Sequence, residues 1–286
     1  MELSLTNPAG LLALPAGRAR CAVLVLSGSS GRIDVDRVRL LAGHGAAALS
    51  LRWFADTGQP PGICEIPLET FTPALDRLAA HSEHLAVIGA SKGAEAALLL
   101  AAHDSRIRTV VALSPSSVVW ANVGPGPDGD ESRSRSSWTR AGVALPFVPY
   151  DQAWHDAQAK QDARGADTQP PAFRSLYEQS LTTFADRIPA ARIPVESIRA
   201  DVILSAGGDD QVWPSESFAR DVVARRSDHG LSTTCLTAPA AGHRLQLPGE
   251  PVTDGGTVLV RGGSPHADAE LGARVWSELR TALHLT

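Results

Sequence analysis

Ser91 lies in Gly89-Ala90-Ser91-Lys92-Gly93, a Gly-x-Ser-x-Gly pattern. A continuous apolar run, residues 85–88, leads into it, and Ala94-Glu95-Ala96-Ala97-Leu98-Leu99-Leu100 leads out with helical character. A serine hydroxyl is a poor nucleophile until a base removes its proton. Glycines two before and two after the serine leave room for a tight strand-to-helix turn, which would lift the hydroxyl above the sheet. The pattern therefore points to covalent acyl chemistry at Ser91. It also sets a demand: an acid and then a histidine must follow later in the chain.

Two loops meet that demand. Asp209 follows an apolar strand expected over residues 201–205, after the turn Gly207-Gly208. His243 ends Ala240-Ala241-Gly242-His243, a loop after a strand expected over residues 231–237. Of the nine histidines, His243 alone occupies such a position, whereas His44, His81 and His103 fall at expected helix ends, where a cation is favourable for ordinary reasons. Asp209 and Asp210 compete for the acid role. The first aspartate after the turn is expected to face the histidine, and the second to cap the following segment. Asp209 is therefore assigned. An oxyanion hole needs two backbone N–H donors: Lys92 N–H, and one from Ser29 or Ser30 in the loop after the first long strand. The Lys92 side chain is expected in solvent, with contact to an anionic substrate as the alternative.

Expected strands at 21–26, 46–51, 85–89, 108–114, 201–205 and 231–237 alternate with helices at 34–43, 67–81, 91–103, 215–226 and 267–284. Residues 2–5 read as an edge strand, and 254–263 as a hairpin-like excursion. Near-continuous apolar strands suit a parallel sheet covered on both faces, with right-handed crossovers. The expected fold is α/β: an α/β-hydrolase, its mostly parallel central sheet flanked by helices. The rhythm stops between residues 121 and 197, a stretch rich in Pro, Gly, Ser and Asp with scattered aromatics. A loop that long is uncommon in a compact domain, so it reads as an inserted cap within one domain, 1–286, with a short helix over 171–185.

Composition narrows the function. The chain has 286 residues and a formal net charge of -5, which gives no electrostatic case for nucleic acid. No stretch approaches the roughly 18 apolar residues of a membrane span, and no signal peptide is evident. Cys21, Cys64 and Cys235 are widely spaced, as buried free thiols of a reducing compartment would be. The expected location is cytoplasmic, with no metal and no cofactor. Only two lysines, Lys92 and Lys160, occur among 26 Lys and Arg residues, which makes the elbow lysine notable.

Residues 89–95, the segment 205–215 with its Asp-Asp-x-x-Trp, and Ala241-Gly242-His243 together resemble the C-terminal catalytic domain of the acyl-CoA thioesterase and bile acid-CoA:amino acid N-acyltransferase family. Further likeness lies in residues 114–119, 193–196 and 262–265, so the resemblance runs from about residue 20 to the end. It implies a Ser-Asp-His triad at Ser91, Asp209 and His243, acting on a small-molecule acyl thioester of coenzyme A or of a carrier protein. Members that transfer acyl groups to amino acids tend to carry Cys at the nucleophile, so Ser91 resembles the hydrolytic ones. Members usually carry an N-terminal β-rich domain, whereas about 20 residues here precede the first core strand. The 121–197 segment is a candidate for the wall such a domain would supply. Acyl transfer, simple ester hydrolysis and non-catalytic ligand binding are the rival functions.

Overall fold

The computed structural model describes residues 1–157, 170–251 and 258–286. Eight strands form the main sheet: β1 (Glu2–Thr6), β2 (Ala9–Ala13), β3 (Cys21–Leu26), β4 (Ala46–Leu51), β6 (Leu85–Ala90), β7 (Ile107–Leu113), β10 (Asp201–Gly207) and β11 (Thr234–Ala238). Their order across the sheet is β1-β2-β4-β3-β6-β7-β10-β11. From β4 onward through the order the neighbours are parallel, and β1, β2 and β4 pair antiparallel. β3 and β4 are buried at every residue, as their unbroken apolar runs require when helices cover both faces.

Helices α1 (Val35–Gly43) and α7 (Pro265–Ala282) close one face, α1 against β4 and β2 and α7 against β10 and β11, with Val38, Leu41, Leu271 and Val275 in one shared core. Helices α2 (Thr72–Ala79), α3 (Lys92–His103) and α6 (Ser215–Asp228) close the other, with Leu75, Leu98 and Val222 in a second core. The helix expected over 67–81 divides into a 3₁₀ turn, Leu68–Phe71, and α2, with Pro73 in the first turn of α2, where a missing N–H is tolerated. The last expected strand starts later than its apolar pattern suggested, at Thr234. Residues 252–257 of the expected 254–263 excursion lie outside the described residues, and 258–263 form no strand.

Residues 121–197 contain helix α4 (Arg174–Thr183), the short α5 (Ile188–Ala191), and strands β8 (Trp138–Arg140) and β9 (Val143–Ala144). β8 and β9 join β5 (Ile66–Pro67) in a separate three-stranded sheet. Trp120, Tyr150, Tyr177, Trp213 and Phe218 form a third apolar cluster. Trp120 and Tyr150 stack at 5.9 Å, and Tyr177 meets Trp120 edge-on at 4.7 Å.

A buried ion pair joins this segment to α3. Lys92 Nζ donates to Glu95 Oε2 at 2.9 Å and to Ser137 Oγ at 2.8 Å. Glu95 Oε1 accepts from Trp138 Nε1 at 2.7 Å and from the Trp120 backbone N–H at 3.1 Å. The Lys92 side chain is 3% exposed, which corrects the expectation that it stands in solvent or on a substrate. Burial pushes the ammonium below its ordinary pKa, and Glu95 opposes that shift. Removing one member of a buried pair leaves an uncompensated charge, at a cost of about 3–5 kcal/mol. Lys92→Met is expected to lower unfolding stability by that amount in urea titration; a loss below about 1 kcal/mol would count against the pair as a structural anchor.

Candidate active site

The elbow begins where β6 delivers Ser91 at φ 56° and ψ -122°, just before the first residue of α3. A non-glycine residue held there stores of order 1–3 kcal/mol of strain. Surrounding contacts enforce it. Ser91 N donates to Leu113 O at 2.9 Å, and Ser91 O accepts from Ala94 N at 2.8 Å. A Cβ on Gly89 would fall onto the Gly93 carbonyl, and one on Gly93 onto the carbonyls of Leu26 and Ser27. Both glycines of the motif are thus required by close backbone approach, not by φ. Gly28 passes Ser91 so closely that an added Cβ would lie 3.0 Å from the Ser91 Cβ.

The histidine loop follows β11. His243 N donates to Arg261 O at 2.9 Å, and His243 O accepts from Ser114 Oγ at 2.8 Å. Ser114 follows β7 with φ 48° and bonds through its N–H to Ser205 O at 2.7 Å. Trp213 presents its ring edge-on to His243, with centroids 5.8 Å apart, and its Nε1 donates to Ser114 O at 3.2 Å. A backbone carbonyl and a hydroxyl therefore hold the main chain of His243, and an indole meets its ring.

Its carboxylate partner is Asp210, with Oδ2 2.8 Å from His243 Nδ1. The expected contact from Asp209 is not made. The turn after β10 is tight: Asp209 N donates to Ala241 O at 3.0 Å, and the backbone of Gly208 runs against Pro239. That reversal turns Asp209 outward, where Oδ2 accepts from Gly263 N at 2.8 Å and Oδ1 from Gln211 Nε2 at 2.7 Å. Those donors hold the Asp209 carboxyl below the ordinary carboxylate range. Asp210 turns inward and is fully buried. Its Oδ1 accepts from Val212 N at 2.9 Å and Trp213 N at 3.2 Å. One carboxylate thus caps the next segment and meets the histidine, two tasks that the sequence alone divides between two residues. The Asp210-x-x-Trp213 spacing carries that signal, since an aspartate bonding two and three residues ahead is a local turn.

Arg174, at the start of α4, steadies the turn from outside, donating through Nη1 to Gly208 O at 2.8 Å and Asp210 O at 3.3 Å. Asp268, in the first turn of α7, accepts from Gly242 N at 2.7 Å and so fixes the loop one residue before His243.

Ser91 and His243 line one cleft, of about 110 Å³, together with Gly28, Ser29 and Ser30. The Lys92 N–H belongs to the first turn of α3, whose N–H groups lack intrahelical partners. No group of three or more metal-ligating side chains occurs among the described residues. Among them too, no helix is long and apolar enough to cross a membrane. Cys21, Cys64 and Cys235 are free thiols, and burial pushes Cys21 up to about 12.

Strand order, strained elbow and the Asp-His loops define an α/β-hydrolase fold. Solved structures similar to it include a dienelactone hydrolase from Klebsiella pneumoniae subsp. pneumoniae, with TM-score 0.56, 13% identity, and coverage of 99% of this chain and 97% of that one. Another is a dienelactone hydrolase-like promiscuous phosphotriesterase from metagenomic libraries, with TM-score 0.54, 16% identity and coverage of 100% and 98%. At such identities the likeness concerns the fold alone. Residues 66–285 match the family described as BAAT / acyl-CoA thioester hydrolase C terminal, and the chain belongs to that family. It is similar to acyl-coenzyme A amino acid N-acyltransferase 2 of Rattus norvegicus, 26% identical over 284 residues, covering 95% of this chain and 62% of that protein. Acyl-coenzyme A thioesterase 6 of Mus musculus is 26% identical over 282 residues, covering 94% and 61%. Acyl-coenzyme A thioesterase 2, mitochondrial, of Mus musculus is 26% identical over 273 residues, covering 92% and 54%. The chain thus spans less than two thirds of the length of these relatives.

Asp268 offers a pH test of the loop's anchoring. Burial raises its pKa, and the nearby Asp209 and Asp210 charges add to that, against the Gly242 hydrogen bond. A carboxyl whose folded pKa is raised stabilises the fold fully below its unfolded value, and loses that contribution as pH rises through the folded one. Asp268→Asn removes the titration. Its melting temperature relative to the parent is therefore expected to improve from pH ~4 to pH ~7, across the carboxylate range. A difference that stays flat with pH would show that Asp268 titrates normally.

Proposed function

We propose that this chain is a serine acyl hydrolase that cleaves acyl thioesters through Ser91, His243 and Asp210. The observation that supports this most is the His243–Asp210 contact at 2.8 Å, made by a histidine that shares the cleft with Ser91. Family membership directs the reading toward thioesters, of coenzyme A or of a carrier protein. In this reading the whole chain is one catalytic domain carrying the 121–197 insertion. The reaction takes place in the cytoplasm, where three free thiols would stay reduced.

Ser91 Oγ attacks the thioester carbonyl while His243 Nε2 takes its proton. Asp210 holds Nδ1–H, which fixes the tautomer and favours the imidazolium that forms. Negative charge develops on the carbonyl oxygen, toward the Lys92 N–H and the N–H of Ser29 or Ser30. Collapse breaks the C–S bond, and His243 gives its proton to the leaving thiolate. Water then attacks the acyl-enzyme, again with His243 as base, and frees the carboxylic acid and Ser91.

The second reading is transfer of the acyl group to an amine, as the name of the rat relative suggests. Product analysis with a thioester plus candidate amines separates the two. For the shared steps, a fluorophosphonate probe is expected to label Ser91, and Ser91→Ala to abolish both labelling and turnover. Asp210→Asn is expected to lower kcat by about 10³–10⁴, as loss of the orienting acid does in triad enzymes. Asp209→Asn is expected to stay within about tenfold of the parent, in proportion to a lost surface anchor. The reverse ranking of the two aspartates would overturn the assignment.

A further inference from the structure

Ser114 is bonded into the surroundings of all three residues proposed for the reaction and is itself none of them. It is the first residue after β7 and is 3% exposed. Leu113, just before it, accepts the Ser91 N–H at 2.9 Å. The Ser114 N–H donates to Ser205 O at 2.7 Å, on the strand that leads to Asp210. Its carbonyl accepts from Trp213 Nε1 at 3.2 Å, and Trp213 N donates to Asp210 Oδ1 at 3.2 Å. Its hydroxyl donates to the His243 carbonyl at 2.8 Å, across 129 residues of chain. The backbone here stands at φ 48°, a conformation that glycine reaches at no steric cost. What serine adds at this turn is therefore the hydroxyl, and that hydroxyl holds His243.

The sheet order makes such a tie necessary. β7 and β10 separate β11 from β6. Three steps of about 4.8 Å put the end of β11 about 14 Å from the strand that delivers Ser91. The loop after β11 must turn back across that distance to bring His243 into the Ser91 cleft. Two of its other anchors lie short of the elbow. Asp268, which holds Gly242, belongs to α7, and α7 packs on β10 and β11. Asp210, which meets the imidazole, follows β10. The Ser114 hydroxyl stands at the end of β7, one strand from β6. We propose that Ser114 is a positioning residue, whose hydroxyl tethers the His243 main chain over Ser91 and so sets the distance across which the proton passes. This rests on Ser91 being the nucleophile and His243 the base. Without the tether the loop relaxes toward β10 and β11, the Asp210 contact persists, and the imidazole draws away from Ser91.

Ser114→Ala removes the hydroxyl alone. Ser114→Gly removes it with a residue suited to φ 48°, which protects folding. Neither changes a charge near the ring: Arg32, Arg37, Arg244 and Arg261, which line the same cleft, keep the partners they have. kcat and KM for an acyl thioester are measured on the pH plateau, per folded molecule. Both variants are expected to lose between about tenfold and 10²-fold in kcat, the penalty of a misplacement near 1 Å, with KM unchanged. In a His243→Ala background the same substitutions are expected to alter the residual rate by less than about twofold, because the tether acts through the imidazole. A smaller loss of kcat, or an equal loss with and without His243, overturns the proposal. So does full activity in Ser114→Gly alone, which would assign the effect to backbone strain and not to the hydroxyl. A parent with neither turnover nor fluorophosphonate labelling defeats the Ser91 reading instead. Crystal structures of the parent and Ser114→Gly then decide the tether by itself: a His243 carbonyl drawn back from β7 by about 1 Å or more supports it, and an unmoved one overturns it.

Discussion

The backbone of Gly89 runs so close to that of Gly93, and Gly93 so close to the end of β3, that no side chain fits at either glycine. This contact locks three elements at one point: the strand that delivers Ser91, the helix that leaves it, and the strand whose loop supplies Ser29 and Ser30. The positive φ of Ser91 follows from it, because the chain has no wider path from β6 into α3. The sheet order then fixes the rest. β7 lies beside β6 and β10 beside β7, so their C-terminal ends bring Ser114 and Asp210 to the same edge as the elbow. His243 arrives from the loop after β11 and is held there by Ser114, Arg261 and Asp210.

Parts of this arrangement are plain in the sequence, for a physical reason. Strands buried on both faces must be apolar throughout, and 21–26, 46–51 and 85–89 read that way without structural help. The elbow is legible because its glycines are a steric necessity. The carboxylate that meets His243 is legible only to within one residue. Asp209 and Asp210 have the same chemistry, and the choice between them depends on a turn whose direction is set by contacts with Ala241 and Pro239, distant in the chain. β8 and β9 are illegible because strands of three and two residues carry no period; β8 exists through pairing with β5, and β9 through pairing with β8. The burial of Lys92 is hidden for a related reason: its partner Glu95 is near in sequence, but the shell that excludes water from the pair comes from Trp120, Ser137 and Trp138. The arginines of the cleft give no local pattern, because they are spread from residue 32 to residue 261.

Charge is distributed unequally between the two sides of the elbow. On the α3 side, Lys92 and Glu95 neutralise one another inside the protein. On the cleft side, guanidiniums crowd the mouth of the site. The first arrangement serves rigidity, since both partners are enclosed and bonded to neighbouring backbone, hydroxyl and indole groups. In the second, Arg32 is paired with Asp34 and Arg37 with Glu250, so carboxylates fix guanidiniums there as well.

The Lys92–Glu95 pair has a consequence for modularity. Insertions between β-strands of a sheet are usually regarded as exchangeable appendages, hung from a scaffold that would fold without them. Here the residue immediately after Ser91 is bonded to Ser137, and the helix it begins is bonded to Trp138 and to the backbone of Trp120. Grafting another segment in place of 121–197 would uncover an ammonium and a carboxylate at the foot of the elbow. Replacement of the segment in this chain is thus constrained: Lys92 and Glu95 need Ser137 and Trp138 from it, beside Trp120 just before it, to stay enclosed.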